Sequence, residues 1–165
     1  MQISKPHDSV NPTEFFVSII VPVYNGEKTL ALCIDSLLAL DYPPNKYEII
    51  IVDNNSTDRT RQIINTYTVR SVSEHTIQTS YAARNAGVRA AAGDILAFTD
   101  SDCVVSKDWL KKSIPGFRNQ EVGCVAGEVN AFSVQTPLEK LLVEINYMKQ
   151  SNFLKNSFLP FAITA

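Results

Sequence analysis

The feature that most restricts how this chain can fold is a series of short apolar stretches, each breaking off into a polar cluster. Phe16 to Val23 reads Phe-Val-Ser-Ile-Ile-Val-Pro-Val, nearly continuous in hydrophobicity, as a strand covered on both faces is. Tyr47 to Val52, Val69 to Ser73 and Ile95 to Thr99 follow as further strands. Between them the period changes. Leu30, Cys33 or Ile34, Leu37 and Leu38 recur at helical spacing until Asp41-Tyr42-Pro43-Pro44 stops the element, and Asn25-Gly26 turns the chain into it. Asp58 is placed to cap a helix carrying Ile63 and Ile64, and Ser80 starts an alanine-rich helix closed by Gly93.

Strands alternating with helices through short turns dictate parallel pairing and right-handed crossovers. The expected fold class is therefore α/β: an open, mostly parallel sheet with helices on both faces. Beyond the last strand, Trp109 to Phe117 is expected to be helical and Val122 to Phe132 to contain strand. Pro137 to Lys149 reads as a helix with Leu138, Leu141, Leu142 and Ile145 on one face. Ligands of such sheets bind where strands end at their carboxyl edge. Three polar clusters fall there: Pro22-Val23-Tyr24-Asn25, Asp53-Asn54-Asn55-Ser56-Thr57-Asp58 and Asp100-Ser101-Asp102.

Composition narrows the ligand chemistry. The 165 residues are 45% hydrophobic and 19% charged with a formal net charge of -2, the make-up of one ordinary globular domain without a basic footprint for nucleic acid or an anionic membrane surface. A polyanionic ligand must then be neutralised by something other than surplus lysine. Cys33, Cys103 and Cys124 are odd in number and widely spaced, which fits a reduced, cytoplasmic setting rather than a disulfide or zinc framework. Cys33 and Cys124, in apolar surroundings, are expected to be buried small hydrophobes; Cys103 follows the carboxylates and is the candidate for a reactive thiol. Residues 1–14 are polar, contain Pro6 and Pro12 and read as a flexible arm without a signal sequence. No run reaches the ~20 apolar residues of a membrane span.

The chemistry centres on Asp100 and Asp102. Two carboxylates one residue apart at a strand end can turn toward one cavity and offer oxygen ligands to Mg2+ or Mn2+, with substrate phosphates completing the coordination. A bare Asp-x-Asp is common, and the alternative is a pair of solvated capping residues; the position directly after Ile-Leu-Ala-Phe favours the site, because adjacent acids repel and need a reason to coexist. Asp53 sits where the chain leaves the second strand and can accept hydrogen bonds from a base such as uracil, whereas Asp58 suits a helix cap. Arg84, in the first turns of the alanine-rich helix, is either an anion contact or a solvated helical arginine. Gly87 better suits close helix packing than ligand contact. Tyr24 and Glu27 can stack on a base and bind its sugar, although Glu27 also fits dipole stabilisation in a first helical turn.

Together these residues resemble the family-two glycosyltransferases of the GT-A fold. The resemblance rests on Val-Ser-Ile-Ile-Val-Pro-Val-Tyr-Asn (17–25), Ile-Ile-Ile-Val-Asp-Asn-Asn-Ser-Thr-Asp (49–58), Ala-Ala-Arg-Asn-Ala-Gly (82–87) and Ala-Ala-Gly-Asp-Ile-Leu-Ala-Phe-Thr-Asp-Ser-Asp-Cys (91–103), extended by Asp108-Trp109-Leu110. It implies a nucleotide-diphospho-sugar donor, a UDP-sugar being favoured, with Pro22, Tyr24 and Glu27 lining the nucleotide pocket. It also implies Asp53 reading the base, Arg84 near the diphosphate, Asp100 touching ribose and metal, and Asp102 as the principal metal ligand. Transfer in this family usually inverts the anomeric carbon by direct displacement, the metal stabilising the departing diphosphate.

One departure changes the expectation. Inverting transfer needs a general base, which family members carry in a second half, and Glu128, Glu139 and Glu144 do not match its motif. The base is expected beyond Ala165. The parts expected are thus an arm (1–14), a nucleotide-sugar-binding α/β domain (15–132), and a helix with an apolar segment (133–165) leading toward an acceptor-binding half. Phe153 to Phe161 would then be an apolar patch for self-association or a partner chain, and the expected location is the cytoplasm or, peripherally, the cytoplasmic membrane face. The alternative is a non-catalytic nucleotide-sugar-binding module or donor-site subunit. A dinucleotide-binding Rossmann domain is disfavoured, since Pro22-Val23-Tyr24-Asn25-Gly26 has no GxGxxG.

Overall fold

A computed structural model describes residues 15–119, 121–131, 134 and 136–144. The expected arm (1–14), the end of the last helix and the apolar segment from Phe153 lie outside the described residues. Four strands, β1 (Val17–Val23), β2 (Tyr47–Asp53), β3 (Arg70–Ser73) and β4 (Ile95–Phe98), form one sheet in the order β3-β2-β1-β4. Every pairing is parallel, with Val17 opposite Tyr47 and Ile95 at the start of the register. Helices α1 (Leu30–Leu38), α2 (Thr60–Ile64), α3 (Ser80–Ala90), α4 (Trp109–Ser113) and α5 (Pro137–Glu144) accompany the sheet, with 3-10 turns at Pro44–Lys46 and, continuing from α4, at Ile114–Arg118.

Both faces of the sheet are covered, as the uninterrupted apolar strands require. Val17, Ile19, Val21 and Val23 pack with Ile49 and Ile51 against Leu30, Ile34 and Leu37 of α1, Ile64 of α2 and Leu110 of α4. Their neighbours in the pleat, Ile20, Ile50 and Val52, face Ala83 and Ala86 of α3. Small residues let α3 lie close to the sheet. A Cβ on Gly87 would sit 2.4 Å from Ile20 Cγ2, so this glycine is a packing residue, as its sequence context indicated.

Several expectations are corrected. Val122 to Phe132 forms no strand among its described residues, because strand propensity needs a partner edge to express itself and Val122 and Val125 stay half-exposed. The alanine-rich helix ends at Ala90, not at Gly93; a Cβ on Gly93 would lie 2.5 Å from the Ser18 amide nitrogen, so close backbone approach, not capping, explains it. Asp58 is not the N-cap of α2: that residue is Arg59, whose side chain makes no cap bond, and Asp58 takes the Thr60 N–H from one position earlier at 2.9 Å. Glu27 precedes α1 and lies outside its first turn.

The cysteines also divide. Cys33 is buried and Cys124 is exposed, the latter because its segment joins no sheet. Burial pushes the Cys33 thiol up to about 12, and burial followed by the Asp102 charge raises Cys103, so neither is poised as a thiolate. On α5, Leu138, Leu141 and Val143 are exposed. No described helix is long and apolar enough to cross a membrane.

Candidate functional site

The carboxyl ends of β1, β2 and β4 open into a cleft of about 680 Å3. Its walls come from the loops that follow those strands and from the first turns of α3. Pro22, Tyr24, Glu27, Arg84, Asp100 and Asp102 all line it. Sequence separations of up to eighty residues are thus closed by the topology alone, since parallel strands deliver all their following loops to one edge.

Two loops build one wall by bonding to each other. The Asn25 N–H donates to Ser56 Oγ at 2.9 Å, and the Thr57 N–H donates to Asn25 Oδ1 at 2.8 Å. Gly26 N–H reaches Thr60 Oγ1 at 2.8 Å, and Glu27 N–H reaches Asp58 Oδ2 at 3.0 Å. In return Glu27 Oε2 accepts from the Arg59 N–H at 3.3 Å and from Arg59 Nε at 3.4 Å. Asn25 and Asn55, with φ of 52° and 63°, turn the two loops through the left-handed region, which asparagine tolerates better than most residues. Desolvation acts to raise the Asp58 carboxyl, but the hydrogen bonds from the Thr60 hydroxyl and the Thr60 and Glu27 N–H groups together outweigh it and hold the acid below its ordinary range.

Asp53 stands apart from the cleft. It is 1% exposed; its Oδ1 accepts from the Ser56 N–H at 3.0 Å and its Oδ2 pairs with Arg61 at 3.1 Å. Asn54, which the sequence reading passed over, lines the cleft instead. Its amide Nδ2 donates to the Thr79 carbonyl at 2.8 Å, its backbone N–H donates to the Val23 carbonyl at 2.8 Å, and its Oδ1 is buried with no partner. A carbonyl can only accept, so the amide orientation is fixed with Oδ1 as the free acceptor. A buried acceptor left unsatisfied is costly, and here it marks a place for a donor.

On the opposite wall, Asp100 and Asp102 flank a turn in which the Asp100 carbonyl accepts from the Cys103 N–H at 3.1 Å and from Cys33 Sγ at 3.5 Å. Arg84 Nη2 donates to Asp100 Oδ1 at 2.5 Å, the two side chains being 24% and 36% exposed. Burial pushes the Asp100 acid upward; Arg84 pulls it down and the Asp102 charge adds to the rise. No group of three or more His, Cys, Asp or Glu side chains is arranged for a metal among the described residues. Two hard carboxylates on one cleft nevertheless fit a Mg2+ or Mn2+ ion that brings phosphate oxygens with it.

With that geometry in hand, known proteins sharpen the picture. Residues 18–164 match the family described as Glycosyl transferase family 2. The glycosyltransferase AglE of Haloferax volcanii is 37% identical over 119 residues, covering 69% of this chain and 39% of the relative. A poly(ribitol-phosphate) beta-glucosyltransferase of Bacillus spizizenii is 37% identical over 100 residues, covering 57% of this chain and 16% of the relative. The chain therefore spans well under half the length of these curated relatives. Among solved structures, a mannosyltransferase from Pyrobaculum calidifontis in complex with GDP-Man and Mn2+ superposes with a TM-score of 0.63 at 30% identity, over 76% of this chain and 40% of that one. S. aureus TarS 1-349 in complex with UDP-GlcNAc gives 0.59 at 28% identity, over 73% and 37%.

Proposed function

This chain belongs to glycosyl transferase family 2, and from that premise we propose that its cleft is the donor site of a metal-dependent, inverting glycosyltransferase that takes a nucleotide-diphospho-sugar, with uridine the favoured nucleoside. The observation that carries this reading is the convergence of Tyr24, Asn54, Arg84, Asp100 and Asp102 on one cleft at the carboxyl edge of the sheet.

Each side chain has a task its chemistry suits. Tyr24, 51% exposed at the rim, offers a ring face on which a base stacks. Asn54 Oδ1 accepts from a ring N–H, which uracil and guanine present and cytosine and adenine lack. Asp53 acts through its neighbour: with Ser56 and Arg61 it fixes the corner that aims Asn54. Glu27 faces the nucleoside sugar as an acceptor for hydroxyls, and Pro22 floors the pocket. Asp100 and Asp102 would hold Mg2+ or Mn2+, which when bound supplies the positive charge that the departing diphosphate needs. Arg84 adds a second cation for the same oxygens.

The base that takes the acceptor proton is assigned to none of the described residues; Glu128 and Glu144 are exposed and line no part of the cleft. The second reading is a donor-binding module that does not itself turn over. Calorimetric titration with UDP, GDP, CDP and dTDP, with Mn2+ or with chelator, on wild type and Asp102→Ala tests the shared core. We expect metal-dependent binding of UDP and a loss of about tenfold or more in Asp102→Ala. Binding that ignores both metal and variant would sink the donor-site reading. Hydrolysis or transfer of a bound donor separates the enzyme from the module.

A further inference from the structure

The charges around the cleft are unevenly engaged. Its lining cations are Lys28 and Arg84, set against the carboxylates of Glu27, Asp58, Asp100 and Asp102. Glu27 is paired with Arg59, and Asp58 is taken up by the Glu27 and Thr60 N–H groups and the Thr60 hydroxyl. Asp100 and Asp102 are the acids placed for a metal, and one of them already has a cation on it: Arg84 lies against Asp100 Oδ1.

The geometry points to an exchange, and we propose it on the basis of the donor-site reading above: Arg84 and a divalent ion compete for Asp100, and the guanidinium displaced from that carboxylate meets the diphosphate. Arg84 is suited to this by its place. It projects from α3, whose early turns form the cleft wall, and its partner is a half-exposed carboxylate, not a buried one, so separation leaves no stranded charge in the core. A guanidinium freed near phosphates finds acceptors that match its fork. A divalent ion close to an unmoved Arg84 would instead meet like-charge repulsion. The metal and the diphosphate are then linked through one side chain as well as through their direct contact, and each must favour the other by the same factor.

Binding measurements test the exchange without any appeal to turnover. Mn2+ alone, followed through the electron paramagnetic resonance signal of the free ion, is expected to bind Arg84→Ala about fivefold tighter than wild type, with Arg84→Lys close to wild type, on the strength of one removed half-exposed competitor. If Arg84 merely positions Asp100 for metal, Mn2+ affinity falls or stays level in Arg84→Ala, and the exchange is overturned. In chelator, UDP is expected to bind Asp100→Asn several-fold tighter than wild type, because Arg84 is released, and the gain is expected to vanish in Asp100→Asn with Arg84→Ala; an absent gain also overturns it. Circular dichroism melts confirm that each variant folds. Wild type with UDP and Mn2+ is the separate check on the donor-site reading: its failure to bind removes that reading, whereas normal binding with unshifted variants removes only the exchange.

Discussion

Asn54 and Asp53 show how much depends on which of two adjacent residues faces a ligand. Side chains alternate along a strand, and β2 carries this alternation to its end: Asp53 shares the face of Ile49 and Ile51, toward α2, where Arg61 meets it. Asn54 is the next residue and turns into the cleft. Replacing Asn54 by Ala removes the fixed acceptor, and the UDP affinity in Mn2+ is expected to fall about tenfold, the worth of one buried hydrogen bond. CDP should lose little, so the preference between the two nucleotides narrows; a calorimetric comparison of both in the variant reads this directly. An equal loss for CDP would show that Asn54 supports the pocket without reading the base. The sequence alone favoured Asp53 because a carboxylate is the more conspicuous acceptor. It could not show that Arg61 and the Ser56 N–H already claim that carboxylate, since Arg61 arrives from another element.

At the level of elements, the strands and the first three helices were legible because each carries a strong period: uninterrupted β-branched runs for β1 and β2, helical spacing for α1, and an alanine-rich pattern starting at Ser80 for α3. Val122 to Phe132 misled because its composition says strand while the fold supplies it no ladder. The bonds between the β1 and β2 loops were likewise invisible, being contacts between residues about thirty positions apart. Gly87 is the element-scale position most open to test. Its Cβ would overlap Ile20 Cγ2 and crowd Val52 Cγ2 at 3.1 Å, so Gly87→Ala must push α3 from the sheet. Overpacking of that kind costs about 1–3 kcal/mol, against which the better helix propensity of alanine returns about 1 kcal/mol. A net loss of stability in denaturant titration is expected; a more stable variant would mean that α3 has room to move.

For the molecule as a whole, the two edges of the sheet divide the labour. The carboxyl edge holds the cleft, and the amino edge is tied by Glu48, which reaches all the strands or their approaches. Ser18 of β1 donates to its Oε1 at 2.7 Å, the Ala92 N–H ahead of β4 donates at 2.8 Å, and Arg70 of β3 pairs with its Oε2 at 3.2 Å. Partial burial acts to raise the pKa of Glu48, yet these bonds outweigh it and hold the carboxyl below its ordinary range. An acid depressed in the folded state stabilises above its unfolded value and loses that contribution as pH falls through the folded one. Glu48→Gln is therefore expected to cost about 1–2 kcal/mol near neutrality, with the gap to wild type closing in acid, while UDP affinity is unchanged because the cleft lies at the other edge. Melting curves from neutral to acid pH, with one titration at neutrality, check both halves; a gap that widens in acid would contradict the assignment.

The paired loops at the carboxyl edge carry a consequence for anyone who would redesign this protein. Asn25 and Ser56, Asn25 and Thr57, Gly26 and Thr60, Glu27 and Asp58 form reciprocal contacts across two segments, so neither segment is an independent module. A loop grafted alone from another family member would arrive without its counterpart and leave backbone amides unsatisfied. Grafts intended to alter nucleotide choice should carry residues 24–27 and 54–60 together, as a single cassette.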